Sequence, residues 1–197
     1  MALTLHGIGT AVPHGSITRD EAVALAEHVS GGDSRQTALL QRIHQRSGVR
    51  RRGSVLIADH GDDDSFLERV PFYGSTSPST EERMDVFQRH AAALALKASS
   101  AALSESGVAV EAITHLITVC CTGFEAPGVD LALIERLGLR ADVARTHVGF
   151  MGCHAALNGL RVARAFAEAD ADAVVLICCV ELCSLHLQYG GDPEQVV

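Results

Sequence analysis

The sequence predicts an α/β protein, and three observations carry that prediction. Of its 197 residues, 47% belong to the hydrophobic set and only 20% are charged, enough apolar material for a good core. The runs 116–121 and 173–180 are apolar except for Thr118 and do not alternate. Capped helical stretches stand between such runs, which suits a mixed or parallel sheet covered on both faces. The low charge excludes a disordered chain, and the absence of a Gly period or a long heptad pattern excludes collagen-like and coiled-coil structure.

Taken in order, residues 3–12 alternate loosely like a strand and stop at Pro13. Thr18-Arg19-Asp20-Glu21 is a capping box, with Thr18 as N-cap and Glu21 reaching back to its amide, before a helix that ends near Gly31-Gly32. A second helix runs from Ser34 to Arg46, stops at Ser47-Gly48 and opens into Val49-Arg50-Arg51-Arg52. The passage 61–79, with Asp62-Asp63-Asp64, Pro71 and Pro78, reads as irregular surface chain. Ser79-Thr80-Glu81-Glu82 is a second capping box and starts a helix of roughly 25 residues, rich in small side chains.

From there strands and helices alternate regularly. A strand at 116–121 leads through a loop with Gly123 and Pro127-Gly128 to a helix at 130–137, stopped by Gly138. A strand at 145–150 then meets a turn at Gly152-Cys153, a helix at 154–169 and the strand at 173–180. At the end, Asp192-Pro193-Glu194 reads as an N-cap, a first-turn proline and a first-turn acid, so the sequence suggests a helix that a longer polypeptide or a second chain continues.

A net charge of -8, 4% aromatic residues and no Trp argue against a nucleic-acid binder, which needs a basic face and stacking rings. The N-terminus lacks the basic start and apolar run of a secretory signal. No window approaches the roughly 18 apolar residues of a membrane helix, so the expected location is cytoplasmic. Six Cys stand at 120, 121, 153, 178, 179 and 183, without a CxxC knuckle or a His placed to complete a zinc site, so reduced thiols and no metal are expected. Cys120, Cys121, Cys178 and Cys179 lie inside apolar runs and read as small buried hydrophobes.

Cys153 is different. A Cys between a buried strand and the first turn of a helix sits where unpaired amides and the positive end of the helix dipole stabilise an anion. That placement favours the thiolate that acyl transfer needs, and Gly152, Ala155 and Ala156 leave room for a substrate. The local residues also fit a buried small side chain at a tight turn, and both readings stand on local sequence alone.

Several blocks, in order, decide between them. Ile43-His44-Gln45-Arg46-Ser47-Gly48-Val49, residues 78–83, Cys121-Thr122-Gly123-Phe124-Glu125-Ala126-Pro127-Gly128-Val129-Asp130, Leu137-Gly138-Leu139-Arg140, Gly152-Cys153-His154-Ala155-Ala156 with Leu160-Arg161-Val162-Ala163, and Cys179-Val180-Glu181-Leu182-Cys183-Ser184-Leu185-His186 span nearly the whole chain. Together they resemble the type III polyketide synthases, the chalcone and stilbene synthase-like enzymes and their bacterial relatives. The Gly-Cys block alone would also fit ketoacyl synthase III, but the 78–83 and 181–186 blocks argue against that alternative.

The resemblance implies a thiolase-like fold, an αβαβα sandwich of two related halves, of which residues 1–197 supply the N-terminal half. It implies that Cys153 attacks an acyl-CoA thioester, holds the acyl chain and receives two-carbon units from malonyl-CoA, with CoA thioesters as substrates and no further cofactor. The His and Asn that complete the family's site belong to the C-terminal half, and no residue here matches them. His154 adjoins the nucleophile, but the family usually carries another residue there, and neighbouring helix positions diverge by about 100°; it reads as a packing or pocket residue. Arg42 and Arg46, one helical turn apart, match a basic pair that binds CoA phosphates, while Leu39 stands where the family often has a further base.

Five of the 16 Lys and Arg residues fall between 42 and 52 with no acid among them, a cationic edge suited to a polyanion, although a solvated helix face fits as well. Thr122, Glu181, Cys183 and His186 match positions around the substrate cavity, and Ala126 matches one that crosses a homodimer interface. Plant enzymes carry a larger residue than Ala126 and a Thr at the position of His186. Two classes of function follow: an acyltransferase working as a homodimer with the C-terminal half, and a non-catalytic split half supplying folding, dimer contacts or CoA binding.

Overall fold

The computed structural model describes residues 3–31, 34–57 and 66–190, which fall into two compact units. The first contains residues 3–11 and 84–182, the second residues 12–83 and 183–190.

The first unit is built on three parallel strands, β3 (His115–Cys120), β4 (Ala144–Gly149) and β5 (Val175–Cys179), with β3 in the centre. The register sets Cys120 opposite Gly149 and Val119 opposite Cys179, so the C-terminal ends of all three strands lie along one edge. Ile117 and Val119 of one face pack with Ala155 and Ala163 of helix α5 (Ala155–Ala169). The opposite face carries Leu116, Thr118 and Cys120. On that side the Cys178 thiol donates to the Ala95 carbonyl of α3 (Thr80–Ser106) at 3.9 Å. Helices thus cover both faces, as runs without polar alternation require, and α4 (Val129–Leu137) completes the layer.

The second unit holds the antiparallel pair β1 (Ser16–Thr18) and β2 (Arg51–Gly53), joined through helices α1 (Arg19–Ser30) and α2 (Ser34–Arg46). Thr18 and Glu21 form the capping box in full: the Glu21 amide donates to the Thr18 hydroxyl at 3.3 Å and the Thr18 amide donates to the Glu21 carboxylate at 2.6 Å. Ser79 and Glu82 repeat the arrangement at the start of α3. Residues 66–79 contain only turns and bends.

Three expectations change. Residues 3–12 form no strand; the Ile8 amide donates to the Glu105 carboxylate at 2.7 Å instead of to a neighbouring strand. A Cβ on Gly9 would stand 2.0 Å from the Ala98 carbonyl, so this run lies flat on the backbone of α3, an approach only glycine permits. The last strand shortens to 175–179, whereas Cys153 keeps its expected place in a turn ahead of α5, the 3₁₀ turn Gly152–His154. Of the four paired cysteines only Cys120 and Cys178 are buried; Cys121, one residue past β3, is half-buried against the α5 side, and Cys179, the last residue of β5, is exposed. The helix start read at Asp192 lies outside the described residues.

Candidate active site

The site in the first unit forms where β3, β4 and β5 end. After Gly149 the chain turns through Phe150, at φ +56°, and Gly152, at φ +65°. A left-handed aromatic residue is costly, and its side chain is left 75% exposed, so the turn is held for its shape and not for burial. Two left-handed positions within three residues fold the strand abruptly into the first turn of α5 and leave Cys153 exposed at its tip. His154 is the N-cap of α5 and makes no side-chain capping bond, so no side chain closes that helix start. The Ala155 amide donates back to the Gly152 carbonyl, and the positive end of the helix dipole beyond it suits a thiolate or a carbonyl oxygen gaining charge.

Glu181, just beyond β5, ties the neighbouring strand end to this turn. Its carboxylate accepts from the Cys121 amide at 2.8 Å, the Thr122 amide at 3.0 Å and the Thr122 hydroxyl at 2.5 Å. The same hydroxyl accepts from the Leu182 amide at 2.8 Å. The Cys121 thiol in turn donates to the Gly152 carbonyl at 3.7 Å, one residue before Cys153. Thr122, Glu181 and the Cys153 turn therefore belong to one hydrogen-bonded edge, whereas Ala126 is exposed in the loop that follows Thr122.

Three neighbouring thiols are held neutral more firmly than a free cysteine. Desolvation pushes the Cys120 thiol up, with the Glu181 carboxylate adding to it. Desolvation and then Glu181 do the same to Cys179, and burial raises Cys178.

The remaining sequence-predicted residues belong to the second unit. Arg42 and Arg46 are exposed on α2, and neither forms an ion pair among the described residues. Arg51 donates to the Ser16 hydroxyl at 2.9 Å, and Arg52 keeps a buried Nη without a partner. Cys183 is exposed and His186 half-buried, in and just after the 3₁₀ turn Cys183–Leu185. Sequence reasoning missed three features here. The strain at Phe150 has no signal in residue type, and the Cys121 link to Gly152 depends on strand order. The inward course of the Arg83 side chain could have been suspected only from an arginine in the first turn of an otherwise small-residue helix.

Among the described residues no helix is long and apolar enough to cross a membrane, and no group of three His, Cys, Asp or Glu could hold a metal ion.

Residues 2–194 match the family model for chalcone and stilbene synthases, N-terminal domain. The chain is 34% identical over 191 residues to bisdemethoxycurcumin synthase of Oryza sativa subsp. japonica, covering 95% of this chain and 45% of that protein. It is 29% identical over 193 residues to the alpha-pyrone synthesis polyketide synthase-like Pks18 of Mycobacterium tuberculosis, covering 98% and 47%. Among solved structures, PKS-I from the brown alga Ectocarpus siliculosus superposes with a TM-score of 0.82 at 32% identity, covering 96% of this chain and 50% of that one. The C-terminal type III polyketide synthase domain of Steely1 from Dictyostelium gives 0.80 at 30% identity, covering 97% and 51%. The fold is thiolase-like, and the chain spans about half the length of the relatives it matches.

Proposed function

The chain belongs to the chalcone and stilbene synthase family, and we propose that it is the nucleophile-bearing half of a type III polyketide synthase that condenses an acyl-CoA starter with malonyl-CoA. The Cys153 thiolate attacks the starter's thioester carbonyl, and CoA leaves as its thiolate. Loss of CO2 from malonyl-CoA then gives an enolate whose carbon attacks the Cys153 thioester, forming the new C–C bond and releasing the Cys153 thiolate for the next round. The observation that supports this most is the turn itself: an exposed thiol at an uncapped helix start, reached through two left-handed residues and braced by the Glu181 and Cys121 contacts.

Arg42 and Arg46 bind the CoA phosphates, and Thr122, Ala126, Glu181, Cys183 and His186 bound the growing chain. The remaining half supplies the His and Asn that assist decarboxylation and stabilise the oxyanion, each worth about 10² to 10⁴-fold. That half also covers Leu157 and Leu160, which stand exposed on the outer face of α5. The working protein is a homodimer in a reducing cytoplasm, which suits six free cysteines.

The test compares residues 1–197 alone with the same chain joined by the remaining half, reading CoA release from malonyl-CoA with a range of acyl-CoA starters. The proposal expects Cys153-dependent condensation only in the joined protein. Multi-turnover condensation by residues 1–197 alone would overturn the two-half reading and make His154 the first base to test.

A further inference from the structure

The segment that carries Cys183 and His186 is held unlike any strand of the protein. Residues 183–187 make one 3₁₀ turn and pair with no strand among the described residues. Two side chains satisfy their main-chain groups instead. The Tyr73 hydroxyl donates to the Ser184 carbonyl at 2.7 Å and accepts from the Leu187 amide at 3.1 Å. Arg83 donates through one Nη to the Leu185 carbonyl, and through the other to the Leu187 carbonyl and the Ser77 hydroxyl, both at 3.3 Å. Its Nε donates to the Pro78 carbonyl at 3.1 Å.

Both anchors are buried, Tyr73 at 3% and Arg83 at 6% exposure. Burying a guanidinium is expensive unless its donors are used, and every hydrogen bond found for this one ends on a neutral oxygen. An apolar side chain of that size would fill the space without the cost, so the arginine is there for what it holds. Desolvation lifts the Tyr73 phenol above its ordinary range, although the Leu187 contact and Arg83 pull it back, and it stays a proton donor to Ser184 near neutrality. Leu185 is fully buried while Cys183 is exposed. The two anchors thus decide which side chains of the turn face inward and which face out.

We infer that Tyr73 and Arg83 are positioning residues that fix the directions of Cys183 and His186 and so set how far a polyketide grows and how it closes. This rests on the polyketide synthase reading above.

Tyr73→Phe keeps the ring and removes both hydrogen bonds. In residues 1–197 it is expected to speed hydrogen exchange of the Leu187 amide by about tenfold or more, leaving the β3 amides unchanged. In whichever form of the protein turns over, it is expected to shift the ratio of polyketide products by about threefold or more, with acylation of Cys153 by the starter CoA kept within about twofold. A lesion that only loosened the fold would lower acylation and turnover together and leave the ratio alone. Arg83→Lys, which keeps the charge and some of the donors, should shift the ratio less than Arg83→Met.

Unchanged exchange at Leu187 would overturn the positioning role, and faster exchange with an unchanged product ratio would overturn the role in specificity. If the wild-type protein forms no polyketide in either form, the polyketide reading and the product role fall together. The exchange result then still decides whether Tyr73 holds the turn.

Discussion

The starts of α1 and α5 are built in opposite ways. At α1 the chain closes its own helix end: the Thr18 hydroxyl takes the Glu21 amide, the Glu21 carboxylate takes the Thr18 amide, and Arg69 adds an ion pair at 3.2 Å. At α5 no side chain closes the helix, the approach runs through the left-handed Phe150 and Gly152, and a thiol occupies the opening. A side-chain cap stabilises the fold in one place, and in the other its absence leaves the helix start beside a reacting group. Stability and chemistry should therefore separate when the two starts are altered.

The largest effect is expected at Cys153. Cys153→Ala should remove condensation by about 10³-fold or more while leaving the unfolding midpoint almost unchanged, since the side chain is exposed and fills no cavity. Activity assays beside thermal unfolding check both halves of the statement. Next comes the turn. Nothing lies within 4 Å of a Cβ placed on Gly152, so Gly152→Ala meets no clash, but a left-handed alanine costs about 1–2 kcal/mol. The variant should unfold at lower temperature and also react more slowly at Cys153.

An intermediate effect belongs to the cationic edge of α2. Charge-assisted contacts to phosphate are each worth about 1.5–3 kcal/mol, so replacing Arg42 and Arg46 by Ala should weaken use of acyl-CoA by about tenfold or more. It should spare a pantetheine thioester that lacks the nucleotide phosphates. Equal losses on the two substrates would mean that the pair acts through the fold.

The smallest effect belongs to the closed helix start. Thr18→Ala should cost about 1 kcal/mol of stability and leave the chemistry at Cys153 alone. Desolvation pushes the Glu21 carboxyl up, but the Thr18 hydrogen bonds and the Arg69 and Arg51 guanidiniums outweigh it and hold the group below its ordinary range. A carboxyl depressed in the folded state stabilises above its unfolded value, near 4.3 for Glu, and loses that contribution as pH falls through the folded value. Melting curves of wild type and Glu21→Gln should accordingly differ at neutral pH and converge as the solution is made acidic.

The closed helix starts were legible because each needs only four consecutive residues, and α2 runs from Ser34 to Arg46 as its sequence implied. The strand expected at 3–12 failed for the opposite reason: alternation shows what a segment can pair with, not whether a partner strand is there, and here α3 supplies a surface instead. The position of Cys153 at a strand-to-helix turn followed from local pattern and from the family's motifs. What surrounds it did not. Glu181 stands about sixty residues from Thr122 in the chain, and Tyr73 more than a hundred from Ser184, so only the folded backbone brings each pair within hydrogen-bond reach.

The most direct measurement is a timed iodoacetamide reaction of residues 1–197 near neutral pH, with peptide mapping of all six thiols. Cys120, Cys178 and Cys179 have thiols lifted above the ordinary range, first by desolvation, so their thiolate fractions stay low until the solution is well above neutral. Cys153 is exposed at a helix start without a side-chain cap and is expected to be labelled first, about tenfold or more ahead of Cys179. Labelling of Cys179 as fast as Cys153 would contradict the assignment of Cys153 as the nucleophile.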